Sequence, residues 1–284
     1  MLKLVKEGNI MKKMIRLLSL VLALLMVAFC FTACGGDSKD KDSAKSVVVG
    51  YTIYEPMNYL DADGKLIGFD TELAEKVFGN LGYKVIFKEI NWDNKYSDLN
   101  SGAIDCVWNG FTCNTKDKDG VARADKVDFS YNYMENKQVI VVKNGAAITD
   151  AASLKGKIAS AESGSAGESY AKSFEGIVFK GATKQTDSLM EVNAGTADFA
   201  VVDEQLARSY CGQGDYANLT IVEALSSEVE YYAIGFKKGS ALKDKVNAQL
   251  EKCAKDGTID ELIKKYPKVA NTAIKDFSSQ KADK

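Results

Sequence analysis

The 284-residue chain contains no histidine. That excludes imidazole general-base chemistry, Ser-His-Asp triads and His-ligated metal centres. Beyond Cys34 only two arginines remain, Arg123 and Arg208. A guanidinium grips both oxygens of a carboxylate in parallel, which a lysine cannot do. Asp203 closes the apolar run Phe199–Val202. The end of a strand is where ligand contacts gather in open α/β sheets, although the same carboxylate is placed to cap a helix over Glu204–Tyr210. Tyr54 and Trp108 offer aromatic surface. The cysteines Cys106, Cys113, Cys211 and Cys253 lack metal-ligand spacing. Sequence assigns no disulfide among them, and small buried residues or free thiols is the simpler reading.

The elements that must position these groups alternate between strand and helix. Val47–Val49 reads as a buried first strand. Gly68-Phe69-Asp70 opens a helix with Leu73, Ala74, Val77, Phe78 and Leu81 on one face, which Gly82 ends. A strand over Tyr83–Ile90 is followed by a helical turn over Trp92–Leu99 and a strand over Ile104–Trp108. Val139–Val142 is another β-branched strand. Ser163-Gly164-Ser165-Ala166-Gly167 precedes a helix over Glu168–Phe174, and a helix over Asp187–Ala194 feeds Phe199–Val202. A strand over Tyr231–Phe236 and helices over Leu242–Lys255 and Ile259–Lys265 complete the pattern. Such alternation predicts an α/β fold with mainly parallel sheets flanked by helices.

The N-terminus predicts the compartment. Lys12, Lys13 and Arg16 precede an apolar run over Leu17–Phe31, shorter than the roughly 20 residues of a membrane span and suited to a secretory signal peptide. The charged region begins at Met11, an alternative start to Met1. Phe31-Thr32-Ala33-Cys34-Gly35 resembles a bacterial lipobox, which implies cleavage after residue 33 and lipidation of Cys34. The small and charged residues of 34–45 predict a flexible tether. Residues 1–33 carry five basic groups and one acidic group. Their removal changes 37 basic and 39 acidic residues to 32 and 38, a charge of −6. With that acidity and no basic run, no nucleic-acid partner is expected.

Ordered motifs then carry a resemblance. Tyr54-Glu55-Pro56-Met57 is followed by Gly64-Lys65-Leu66-Ile67-Gly68-Phe69-Asp70-Thr71-Glu72-Leu73-Ala74. Next come Leu99-Asn100-Ser101-Gly102-Ala103-Ile104-Asp105, Trp108-Asn109-Gly110-Phe111-Thr112, Val127-Asp128-Phe129-Ser130 and, later, Ala197–Asp203. Together they resemble the polar amino-acid branch of the bacterial extracellular solute-binding proteins, family 3, with the two-lobed type II periplasmic-binding-protein fold. The resemblance implies lobe 1 over 46–138 and 231–275, lobe 2 over 139–230, and leaves a polar tail at 276–284. It implies a monomer without cofactor that captures an amino acid between closing lobes and delivers it to an ABC-transporter permease.

A free amino acid presents a carboxylate and an ammonium on one carbon, so its binder needs a cation with N–H donors and an anion with acceptors. Arg123 lies five residues before Asp128, the spacing of the family's carboxylate-binding arginine, although Cys113–Ala122 is longer than the family's usual stretch. A solvated surface arginine is the alternative. Gly110 and Thr112 are expected beside that carboxylate, and Ser165 and Ala166 to offer N–H groups at a helix start, or to form an ordinary N-cap. Asp203 is expected on the ammonium, Tyr54 as an aromatic wall, and Trp108 as a second wall or as core. Asp70 is expected to cap its helix. Two rivals remain: a secreted cyclohexadienyl or arogenate dehydratase on the same fold, with Glu55, Glu162 or Glu204 as its acid, and a ligand-sensing module for a receptor. Which amino acid is bound stays open.

Overall fold

The computed structural model describes residues 45–281. The expected signal peptide, the lipidation site Cys34 and residues 34–44 of the tether lie outside the described residues, as do 282–284. Among the described residues no helix is long and apolar enough to cross a membrane.

The chain opens with β1 (Lys45–Tyr51), a short hairpin of β2 (Tyr59–Leu60) and β3 (Leu66–Ile67), helix α1 (Phe69–Asn80) and β4 (Tyr83–Glu89). It continues through α2 (Lys95–Ser101), β5 (Cys106–Val107), the single turn α3 (Arg123–Lys126), β6 (Asp128–Phe129) and β7 (Met134–Asn136). A second run holds β8 (Gln138–Lys143), β9 (Ile158–Glu162), α4 (Ala166–Lys172), β10 (Val178–Ala182), α5 (Gln185–Ala194), β11 (Phe199–Asp203), α6 (Glu204–Tyr210) and β12 (Leu219–Val222). The chain returns through β13 (Glu230–Tyr232) and β14 (Gly235–Phe236) to α7 (Leu242–Lys255) and α8 (Thr258–Lys265).

Two five-stranded sheets result, ordered β4-β1-β5-β14-β6 and β10-β9-β11-β8-β12. Within each, strands joined through helices run parallel: β1 with β4 and β5, and β9 with β10 and β11. The strand that arrives from the other half of the chain runs antiparallel to both neighbours, β14 beside β5 and β6, and β8 beside β11 and β12. Four strands of each sheet therefore share one direction, as the expected mainly parallel sheets require, and one strand opposes them. A parallel neighbour needs a long crossover, and β8 and β14 are entered directly from the antiparallel ribbon of β7 and β13. For the same reason the single strand expected over Tyr231–Phe236 is two: Glu230–Tyr232 pairs with Met134–Asn136, and Gly235–Phe236 with the first sheet.

Helix α1 shows how the pattern becomes packing. Phe69, Leu73, Ala74, Val77 and Phe78 recur at helical spacing and are all buried, each large side chain contributing about 1.5–3 kcal/mol. Gly68 precedes it at φ +128°, where an added Cβ would lie 2.1 Å from the Met57 carbonyl oxygen. Only glycine lets the hairpin pass that close. Residues 276–281, expected as part of a polar tail, are docked instead. Phe277 is buried and stacks on Tyr131 at 5.8 Å, and Gln280 Nε2 donates to the Asn132 carbonyl at 3.0 Å. The four described cysteines are all free.

Candidate ligand-binding site

A narrow, largely enclosed cavity lies between loops of the first sheet and strand ends of the second. Trp92, Asn109, Gly110, Thr112 and Arg123 form one wall. Glu162, Ser165, Ala166, Gln185 and Asp203 form the other.

The first wall is held by backbone geometry. Gly110 sits at φ +57°, and an added Cβ would lie 2.7 Å from the Tyr54 ring, so the loop rests directly on that ring. The Gly110 N–H donates to Asp70 Oδ2 at 3.1 Å, and the Tyr133 hydroxyl donates to the same oxygen at 2.8 Å. Burial raises the Asp70 carboxyl to about 7. Asp70 is thus a strut beneath the loop and not the helix cap expected; Gly68 holds the cap position, without a side-chain bond. Asn109 Nδ2 donates to the Thr52 carbonyl at 2.8 Å and to Asn58 Oδ1 at 2.7 Å.

The extra residues after Thr112 do not displace Arg123. Lys116 and Ala122 pair across an antiparallel bridge, and Asp117 Oδ1 accepts the N–H groups of Asp119 and Val121 at 2.9 and 3.1 Å. The loop therefore closes on itself and returns the Arg123 N–H to the Thr115 carbonyl at 3.1 Å. Arg123 is 1% exposed, which removes the surface alternative. Its Nη1 donates to the Thr112 carbonyl at 3.2 Å and its Nη2 to Gly164 O, across the cavity, at 3.4 Å. Its Nε has no hydrogen-bond partner among the described residues. Arg208 lies on α6, paired with Glu204 and Glu223. Lys95 backs the same wall, its Nζ donating to the carbonyls of Trp92 (3.1 Å) and Gly164 (2.9 Å). Burial, then the neighbouring charge of Arg123, lowers it to about 7.

The second wall is built at strand ends and is acidic. Asp203, the last residue of β11, is buried. Its Oδ1 accepts from Asn136 Nδ2 (2.8 Å) and Gln138 Nε2 (2.6 Å), and its Oδ2 from Gln185 Nε2 (2.5 Å). It occupies the N-cap position of α6 but makes no side-chain cap bond. Burial raises its pKa, against the lowering bonds from Gln185 and Gln138. The amides of Asn136 and Gln138 also donate to Glu230 Oε1 at 2.6 and 2.5 Å, so the network reaches the β7–β13 ribbon. Ser165 accepts the Glu168 N–H at 3.0 Å as an ordinary N-cap, while it and Ala166 also line the cavity. Glu162 ends β9, and burial, then the charge of Asp203, raises it to about 8.

Arg123, Gly110, Thr112, Ser165, Ala166 and Asp203 thus meet in one cavity. Tyr54 and Trp108 do not line it: Trp108 takes the core alternative, and Tyr54 is not the exposed aromatic wall expected. Trp108 is fully buried, edge-on to Phe78 at 6.0 Å and tilted against Tyr133 at 6.1 Å. Alternation along an extended segment puts Cys106 and Trp108 in one core cluster and Val107 in another, so Trp108 faces inward. Tyr54 lies under Gly110, its hydroxyl 2.7 Å from that of Tyr232. Trp92 is the aromatic residue of the cavity. Its type was the one signal that could have found it, and its helical-turn setting hid it. Asn109 stands inside the Trp108–Thr112 motif, and Gln185 had no signal. Glu55 and Glu204 are not in the cavity; they pair with Lys268 and Arg208.

Two α/β lobes with a buried polar cavity between them define a solute-binding architecture. The chain belongs to the bacterial extracellular solute-binding proteins, family 3, whose model matches residues 47–269. It is 28% identical over 252 residues to the arginine-binding extracellular protein ArtP of Bacillus subtilis (strain 168), covering 87% of this chain and 96% of that one. It is 31% identical to the L-cystine-binding protein TcyA of the same organism, covering 90% and 97%. Among solved structures it resembles an ancestral arginine-binding protein bound to arginine, with a TM-score of 0.71 and 34% identity over 78% of this chain and 97% of that one.

Proposed function

We propose that this protein captures an amino acid outside the cytoplasm and hands it to the permease of an ABC importer. One observation carries the reading: Arg123 and Asp203, a buried cation and a buried anion, face one small cavity from opposite walls. A zwitterion fits that arrangement, its carboxylate on Arg123 with donors from Gly110, Thr112, Ser165 and Ala166, its ammonium on Asp203. Lobe 1 (46–138 and 231–275) and lobe 2 (139–230) hinge about the β7–β13 ribbon. A ligand that touches both walls favours closure through its differential affinity for the closed form; periplasmic binding proteins are themselves a standard instance of such closure. The protein acts as a monomer without cofactor, tethered to the membrane by lipidated Cys34. The relatives named as arginine- and cystine-binding proteins support this assignment.

The dehydratase reading gains one observation, a buried acid inside the cavity at Glu162 whose pKa burial raises to about 8. A solved relative is described as an ancestral amino acid-binding protein that precedes cyclohexadienyl dehydratase, at 29% identity. We assign binding rather than turnover, because Arg123 and Asp203 suit both ends of a zwitterion. A thermal-shift screen against the proteinogenic amino acids and cystine tests this: a ligand at 100 times its dissociation constant adds about 2.7 kcal/mol. Stabilisation by none of them, with turnover of prephenate or arogenate instead, overturns the assignment.

A further inference from the structure

Glu162 is the one ionisable group of the cavity that a plain zwitterion leaves unanswered. Of the ten lining residues three are ionisable: Arg123, Asp203 and Glu162. The ligand's carboxylate answers the first and its ammonium the second. Glu162 is 2% exposed, and its Oε1 has no hydrogen-bond partner among the described residues. A buried acid without a partner costs free energy that an arriving donor relieves.

The surroundings do not supply that donor. Asp203, at the end of the neighbouring strand β11, and Asp187 in the first turn of α5 both disfavour the ionised carboxylate; Lys95 and Lys184 favour it. Lys95, however, is bonded to the carbonyls of Trp92 and Gly164, and Lys184 pairs with Glu89 at 2.5 Å. Neither lines the cavity. Once a ligand draws the proton off Glu162, the ionised Arg123, Asp203 and Glu162 give the lining a net charge of −1, which a ligand of net charge +1 cancels. Trp92 lines the same space and gives the methylene stem of such a ligand an apolar surface.

We propose that Glu162 reads the ligand's side chain, and that the ligand class is amino acids bearing a second cationic group at the side-chain end. This rests on the amino-acid reading above. The cation displaces the proton that burial holds on Glu162 and forms a charge-assisted pair with the resulting carboxylate. The proton leaves to solvent.

The test is calorimetric titration of the full chain, purified in detergent, with arginine, lysine and ornithine, and with citrulline and glutamine as neutral counterparts. Wild type is expected to prefer arginine over citrulline by about 10- to 100-fold, the range of a hydrogen bond to a charged group. Glu162→Gln is expected to bring that ratio close to one while citrulline binding persists, with a melting curve to confirm that the variant is folded. Should the variant not fold, the wild-type panel alone decides. Citrulline and glutamine binding as tightly as arginine and lysine overturns the proposal, as does a ratio that survives Glu162→Gln. Binding of no amino acid at all overturns the underlying reading and this inference with it.

Discussion

The two walls of the cavity are made by different means. The first-sheet wall is positioned by backbone: a left-handed glycine on an aromatic ring, a self-closed loop, and an arginine fixed by carbonyl oxygens. The second-sheet wall is positioned by side chains: Asp203 is held by three amides, two of which also reach Glu230 on the crossing ribbon. The cationic wall is held by hydrogen bonds mostly local to its own loop, with one Arg123 bond reaching Gly164 across the cavity. The acidic wall is adjustable, because its charge depends on protonation and its bonds on side chains near the crossing. On our account Arg123 on the first wall and Asp203 on the second set what the two ends of every ligand must look like, and Glu162 sets which ligand is preferred.

Breaking the first wall has the largest effect. Arg123→Ala is expected to cost about 3–5 kcal/mol of binding, the range for removing one partner of a buried charge pair, measured by titration calorimetry with the best ligand of the screen. Arg123→Lys restores little of it, since lysine lacks the two-pronged geometry. Asp203→Asn removes the anion but keeps the shape, and is expected to cost about 2–5 kcal/mol. It also leaves amide donors of Asn136, Gln138 and Gln185 facing another amide, so its melting temperature falls even without ligand. Equal loss of binding with unchanged melting would mean that the amide network does not hold Asp203.

Gly110→Ala probes the backbone wall without touching charge. The position has φ +57° and no room beside the Tyr54 ring, so we expect a stability loss of about 1–3 kcal/mol and weaker binding. Chemical denaturation and titration read the two effects separately. Unchanged binding would show that the loop supplies nothing to the ligand.

A last effect concerns the acidic wall alone. In the unfolded chain Glu162 gives up its proton near its ordinary value of 4.5; in the folded protein it holds the proton to about 8. Across that window the folded state binds the extra proton, so raising the pH lowers stability. Glu162→Gln is expected to flatten this part of the melting-temperature profile of the unliganded protein between pH 5 and 8, by roughly 2–4 °C for each kcal/mol involved. An identical slope in the variant would remove Glu162 as its source.

Much of this was legible in the sequence, and the failures have physical causes. The burial stripe of α1 and the apolar strands β1, β8 and β11 follow from periodicity alone. Strands β10 and β12 have mixed burial and no clean alternation, so they escaped. The ribbon of β7 and β13 escaped because Tyr231–Phe236 reads as one strand, and only pairing reveals that its two ends belong to different sheets. Arg123 was findable through its spacing from Asp128, and Asp203 through its place at a strand end. Trp108 stayed open between wall and core because strand parity, which decides between them, shifts with a single residue of register. Gln185 and Asn136 were invisible, because residues that steady a carboxylate carry no spacing rule of their own.

The most direct measurement compares the best-binding proteinogenic amino acid with its decarboxylated amine and its deaminated acid, by titration calorimetry on the wild-type protein. If one zwitterion bridges Arg123 and Asp203, each analogue leaves one buried charge unpaired, and both bind at least about 100-fold more weakly. Either analogue binding as tightly as the parent would contradict the account, since the wall it fails to address would then take no part in capture.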